Sequence, residues 1–278
     1  MGLRIATNIA SQEVQKNLRK VSGESSDLLN KLSSGKRITK ASDDAAGLAI
    51  ATNLDAQTRG LRQATRNAND GVSLVQTAEG GLNETTNILV RLRELAIQSA
   101  SDTVGDQERG FMDKEYQQLV QEVDRIAQST TFNGAHIING DSEKGTLDFQ
   151  VGAFDGQNNR ISFESDKTDA TASTIGISGL GVASKSDALS GLKDIDKAIN
   201  TVSGYRAELG SLQSRLGSTV ANLEIQALNQ DSARSVIQDV DVAQASAKLA
   251  SSNVVQAAGI ATLAQANQIP NSALRLIS

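Results

Sequence analysis

A chain of 278 residues with 3% aromatic residues, no tryptophan and one proline is poorly supplied with the large rigid side chains that fill a compact core. The absence of cysteine excludes a disulfide framework, a thiolate metal site and a cysteine nucleophile. A net charge of −5 with no basic stripe gives no electrostatic footprint for nucleic acid, and no run is long and apolar enough for membrane insertion.

The N-terminal MGLRIATNIASQEV lacks the apolar run and cleavage site of a secretory signal, so any export is expected to use an uncleaved terminus. Ile5, Ile9, Val14, Leu18, Val21, Leu28 and Leu32 then recur at helical spacing, a narrow stripe that needs a partner helix. Ser33, Ser34 and Gly35 stop this pattern, and Lys36, Arg37 and Lys40 place three cations in the break. Ser42 is the expected N-cap of the next helix, with Asp43 and Asp44 in its first turn, where carboxylates complement the helix dipole. Adjacent residues diverge on a helix, so these two acids read as capping groups and not as a catalytic pair.

From residue 43 to about 100 one helix of roughly 85 Å is expected. Its seam from Leu61 runs through positions 65, 68, 72, 75, 79, 82, 86, 89, 93 and 96, the alternation of a left-handed coiled coil. A turn at 99–105 leads into a returning antiparallel helix over about 107–129, with Met112, Tyr116, Leu119, Val123 and Ile126 on its apolar face.

The period changes to two over about 130–165. Asn133-Gly134 and Asn139-Gly140 are turn dipeptides, and the alternation in 146–151 and 161–163 around GAFDGQNN predicts a β-hairpin. Phe149, Phe154 and Phe163 suggest a small cluster of their own there. Residues 166–186, rich in Ser, Thr, Gly and Ala, read as a short exposed tip. A last long helix begins near Asp187 with a seam through Ile195, Ile199, Val202, Arg206, Leu209, Gln213, Leu216, Val220, Leu223 and Ala227. Beyond Ile237 the face softens to Val240, Ala243, Ala247, Val254, Ala258, Ile260, Leu263 and Ile269, and Pro270 is expected to end or kink the helix.

The fold class is therefore mainly α: long antiparallel helices forming a coiled-coil-like bundle, with a small β-hairpin region. Two weakly apolar terminal helices flank the long patterned ones, and the termini are expected to come together, since both long central helices run back toward the same end. His136 is the sole histidine and no His-Glu-x-x-His motif is present; Gly179-Leu180-Gly181 lacks the third glycine of a dinucleotide site. No catalytic, metal-binding or cofactor-binding residues are assigned.

The string LSSGKRITKASDDAAGLAI, from Leu32 to Ile50, closely resembles the N-terminal signature of bacterial flagellins. Further text resembles the same family: NANDGVSLVQTAEGGLNETTNILVRLRELAIQSAS from Asn67, TTFNG from Thr130, QVGAFDGQ from Gln150, SLQSRLGSTVANLE from Ser211, SARSVIQDVDVAQASAKL from Ser232 and QANQIP from Gln265. The pattern departs from the family at Ala6, at Gln12 and at the closing Leu276-Ile277-Ser278.

The resemblance implies an extracellular flagellar filament subunit of minimal form, exported by the flagellar apparatus and used for swimming. Its terminal helices, 1–40 and 238–278, would pair to line a tube, with 41–237 as the next shell, and fold on assembly into a helical homo-oligomer. It also implies an export chaperone, cap proteins and hook-associated proteins as partners, and a hairpin that adjusts subunit spacing. Gly35, Lys36, Arg37, Ser42, Asp43 and Asp44 become the hinge between domains. Arg91, Leu95 and Glu115 match positions that Toll-like flagellin receptors contact in some members. The alternative is a hook-associated or filament-junction protein with flagellin-like termini.

Overall fold

The computed structural model describes residues 7–141 and 145–275, with side chains to Gln268. Five α-helices dominate: α1 (Ile9–Ser34), α2 (Ala45–Ser99), α3 (Asp106–Ser129), α4 (Lys185–Gln238) and α5 (Val242–Arg275). Between α3 and α4 lie two ribbons, β1 (Thr131–Phe132) with β2 (Ala135–His136), and β3 (Thr146–Gln150) with β4 (Arg160–Glu164). The helix α5 continues through Pro270 to Arg275, so the expected stop at that proline is not observed. Ile5 and the closing Leu276-Ile277-Ser278 lie outside the described residues.

The chain divides into two compact units, with boundaries inside α2, between Ala56 and Gln57, and inside α4, between Leu228 and Asn229. Of the limits that the family resemblance implies, 1–40 with 238–278 against 41–237, the first falls in the break at 35–44 and the second inside α4, one residue before its end at Gln238.

The central unit, Gln57–Leu228, holds the large apolar core. From Leu61 along α2 the buried seam runs through 61, 64, 68, 71, 75, 78, 82, 85, 89, 92, 96 and 99, alternating three and four residues, with Leu74 and Leu95 buried beside it. The heptad anchors expected from the sequence are right, but the intermediate members fall one residue earlier. Ala64, Gly71, Ala78, Thr85 and Leu92 face inward, while Thr65, Val72, Glu79 and Thr86 are half-buried and Arg93 is exposed. In α4 the anchors Ile195, Val202, Leu209, Leu216 and Leu223 are buried, and Ala198 replaces Ile199 as the fully covered neighbour. The contacts of Arg93 with Asp196 (2.7 Å) and Glu79 with Arg206 (3.9 Å) run in opposite chain order, so α4 is antiparallel to α2. Arg91 with Glu115 (2.8 Å) and Ser99 O with Arg109 (2.9 Å) show the same for α3.

The hairpin forms as expected, Thr146 opposite Glu164 through Gln150 opposite Arg160. It is not a separate cluster. Phe163 belongs to the main core, Phe149 is partly covered against it, and Phe154 is 61% exposed. Asn133 (φ 49°) and Gly134 (φ 81°) make the two-residue turn of the smaller ribbon, the left-handed pair that right-twisted strands require.

The segment 166–186 is not an exposed tip. Thr168, Ala170, Ala172, Ile175, Ile177 and Val182 are buried, the last four within the main core. One face of α3 ties it down: Asp113 accepts from Val182 N–H (2.8 Å), Gln117 donates to Leu180 O (2.9 Å) and Asp124 accepts from Ala172 N–H (2.7 Å). Side-chain partners on α3 satisfy a backbone that has no ladder of its own.

In the terminal unit α1 and α5 pair antiparallel. Asn8 donates to Ala266 O (2.9 Å), Ser11 Oγ donates to Asn267 Oδ1 (2.9 Å), and Val240 N–H donates to Gly35 O (3.0 Å) at the other end. The α1 seam is Ser11, Val14, Leu18, Val21, Ser25, Leu28 and Leu32; the α5 seam is Ala245, Leu249, Ser252, Gln256, Gly259, Leu263 and Ala266. Only Ser11, Ser25, Ala245 and Ala266 of these are fully buried. Of the α5 face expected from the sequence, Leu263 lies on the seam, whereas Ala243, Ala247, Val254, Ala258 and Ile260 point to solvent. On α1, Ile9 is likewise exposed.

Candidate assembly surfaces

Within the terminal unit, the break between α1 and α2 is built by residues that leave few backbone groups unpaired. Gly35 adopts φ 69°, the left-handed conformation that closes a helix C-terminus without a Cβ clash. The cap of α2 is Asp44 and not Ser42: Gly47 N–H donates to Asp44 Oδ1 (2.8 Å), and Leu48 N–H to Asp44 O (3.0 Å). Asp caps as well as Ser, and the later residue wins because the chain at 41–43 is already turning. Asp43, expected in the first helical turn, reaches back instead, its Oδ2 accepting from Thr39 N–H (3.0 Å), Thr39 Oγ1 (2.9 Å) and Lys40 N–H (3.2 Å). Those bonds, the Thr39 backbone donor foremost, hold its carboxyl below the ordinary carboxylate range.

A second break at 239–241, read through as helix in the sequence, lies beside the first. Asp241 caps α5 as Asp44 caps α2, with Gln244 N–H on its Oδ1 (3.0 Å). Lys36 and Asp239 form an antiparallel bridge. Arg37 N–H donates to Gln238 O (2.7 Å), and its guanidinium to Ile237 O (2.5 Å). Lys40 lies 3.6 Å from Asp27. The charged groups of Arg37 and Lys40 therefore have partners within the chain, and Lys36 joins through its backbone. Ile38, 1% exposed, plugs the joint, and a side chain at Gly47 would meet its Cδ1 at 2.8 Å. The signal for the second break was Asp241 before an alanine-rich run, an N-cap in ordinary position. Ile38 had no neighbour in the pattern to reveal it.

Of the three residues that matched receptor-contact positions, two meet and one does not. Arg91 pairs with Glu115 (2.8 Å) and Glu94 (3.0 Å) on an exposed surface. Leu95 is 1% exposed and belongs to the core, so it offers no surface contact. Arg109, absent from the sequence-level expectations, is nearly buried and donates to Ser99 O (2.9 Å), Ser101 O (2.9 Å) and Asp106 (2.9 Å), closing the end of α2. His136 is half-buried in β2, and no group of metal-ligating side chains exists among the described residues.

The terminal pair also exposes large apolar side chains. Val242, Val254, Val255 and Ile260 of α5 are each more than half exposed, as are Ile9 and Leu29 of α1. The covered seam positions are small, the larger seam residues are only half covered, and these further apolar side chains face outward, which is poor burial for a helix pair that stands alone. Such a chain, with half-covered antiparallel terminal helices, two capped breaks in the terminal unit and a well-packed central helical unit, belongs among helical structural proteins.

The profile of the bacterial flagellin N-terminal helical region matches residues 5–143, and that of the bacterial flagellin C-terminal helical region matches 192–277. Flagellin of Halalkalibacterium halodurans is 39% identical over 270 residues, covering 97% of this chain and 98% of the relative. Flagellin of Bacillus subtilis is 37% identical over 303 aligned positions, covering 99% and 100%. The crystal structure of Bacillus cereus flagellin, 28% identical, superposes with a TM-score of 0.51 over 57% of this chain and 88% of that one. A chain described as a flagellar hook-associated protein from Vibrio parahaemolyticus shares the fold at 16% identity, with a TM-score of 0.58 over 70% of this chain and 99% of that one. The chain belongs to the bacterial flagellin family.

Proposed function

We infer that this chain is a structural subunit, not an enzyme, that polymerises into the flagellar filament. The carrying observation is the incomplete packing of the terminal pair. Only Ser11, Ser25, Ala245 and Ala266 of its seam are buried, while Val14, Leu18, Val21, Leu28, Leu32, Leu249 and Leu263 stay half covered, too little apolar burial to offset the ordering of two helices at ~1–2 kcal/mol of backbone entropy per residue. The outward Val254, Val255 and Ile260 supply the missing area only when copies of the chain cover them. Contacts between unlike faces that do not close on themselves generate an open helix of subunits. The terminal segments, about 1–40 and 238–278, form the inner layer, and 41–237 the next.

The same reading makes the protein extracellular, delivered through the flagellar export apparatus with a chaperone and assembled beneath a cap on hook-associated proteins. Any Toll-like receptor footprint on this region rests on Arg91, Glu94 and Glu115, without Leu95. The hook-associated alternative has only fold-level likeness behind it.

The test compares the full chain with a version lacking 1–40 and 238–278, by sedimentation and negative-stain microscopy. The full chain is expected to give long filaments and the truncated one none. Filaments from the truncated chain, or none from the seeded full chain, overturn the reading.

A further inference from the structure

The helix α5 carries a single glycine, Gly259, among its 34 residues. Glycine inside a helix costs about 1 kcal/mol relative to alanine, so a packing reason is required. That reason is Leu18 of α1. A Cβ built on Gly259 would lie 2.8 Å from Leu18 Cδ2 and 3.2 Å from Cγ, so Leu18 would have to shift out of its seat to admit it. Gly23 of α1, by contrast, has nothing within 4 Å of its hypothetical Cβ. The leucine therefore occupies the space that any other residue at 259 would fill. The contact sits within a shallow apolar groove of about 230 Å³ between the two helices.

A key of this kind answers a specific weakness. The fully covered seam residues Ser11, Ser25, Ala245 and Ala266 are alike in size and accept one another in several registers. A slip of seven residues sets Leu18 against Ser252 or Ala266, each of which carries a Cβ. The antiparallel bridge between Lys36 and Asp239 fixes alignment at one end, and the hydrogen bonds of Asn8 and Ser11 to Ala266 and Asn267 hold the other; Leu18 at Gly259 is the apolar contact between them.

We propose that Leu18 seated at Gly259 is the specificity-determining contact that sets the register of α1 on α5, and with it which apolar face the pair presents to neighbouring subunits. The consequence for assembly rests on the filament reading; the register itself does not.

The chain has no cysteine, so one introduced pair reports register without background. Ser11→Cys with Asn267→Cys replaces two residues whose side chains bond at 2.9 Å. This parent is expected to form an intrachain disulfide on mild oxidation and to assemble. Adding Gly259→Ala should lower both cross-link yield and filament yield by about tenfold or more, the scale an overpacked contact produces. Adding Leu18→Ala with Gly259→Ala should restore both, while far-UV melting of the central bundle stays at the parent value. A Gly259→Ala variant that cross-links like the parent overturns the proposal. So does a double variant that remains as impaired as Gly259→Ala. A parent that cross-links but makes no filaments refutes the filament reading and leaves the register key standing.

Discussion

The two units of this chain use the same seven-residue alternation to opposite ends. In Gln57–Leu228 the alternation carries Leu82, Leu89, Leu92, Val202, Leu209 and Leu216, all at most 2% exposed. In the terminal pair only small members of it, Ser11, Ser25, Ala245 and Ala266, are buried, Val14, Leu18, Leu28 and Leu263 stay half covered, and Val242, Val254, Val255 and Ile260 of α5 face outward. Period alone thus fixes that helices pair. How fully the seam is covered decides whether the pair is stable by itself or waits for company.

Replacement in the two seams should separate these cases most sharply. Leu92→Ala in the central unit is expected to lower unfolding free energy by roughly 2–5 kcal/mol, measured by denaturant titration. Leu28→Ala in the half-covered terminal seam should cost about 1 kcal/mol or less by the same measurement, yet reduce filament yield. Equal losses in both assays would erase the distinction between the units. Arg109→Ala comes next. It strips donors from the Ser99 and Ser101 carbonyls and should cost about 1–3 kcal/mol in the central unit, leaving assembly of the residual folded protein intact.

A smaller effect tests the joint. Asp44→Ala should destabilise α2 by about 1 kcal/mol, whereas Ser42→Ala should fall within about 0.5 kcal/mol of the parent. The reverse order would return the cap to Ser42. The smallest effect lies outside ordinary pH. Burial, with the charges of Asp113 and Asp194, pushes the Tyr116 hydroxyl up to about 12. The folded form then holds its proton longer than the unfolded one. Its contribution to stability is complete below pH 10 and is lost as pH rises from 10 through about 12. With only two tyrosines and no tryptophan, absorbance near 295 nm reads this directly. A native titration centred at 10 for both tyrosines would show that Tyr116 is not enclosed.

Much of this was legible in the residues. The break at Gly35, the long helices and the hairpin follow from stop signals and period, whereas the break at 239–241 reads through as helix in the sequence. The phase of the α2 seam was not, because heptad anchors at Leu61, Ala68 and Val75 admit an intermediate member either three or four residues on. Val72 favours one choice and Leu92 the other, and only packing against α3 and α4 decides. The faces of α5 were illegible for a different reason: alanine all round leaves no stripe to read. Residues 166–186 were misjudged because small polar composition resembles an exposed loop. Their burial depends on Asp113, Gln117 and Asp124, whose role is invisible until α3 lies alongside. Among the site residues, Leu95 illustrates the same limit, since spacing on a helix does not tell which side is covered.

The two capped breaks lie side by side and are stitched by backbone bonds between Arg37 and Gln238 and between Val240 and Gly35. A pull along the terminal helices is therefore carried by two covalent crossings in parallel, and a twist at one must be matched at the other or the stitches open. The joint behaves less like a swivel than like a two-ply strap: compliant in bending, stiff in torsion.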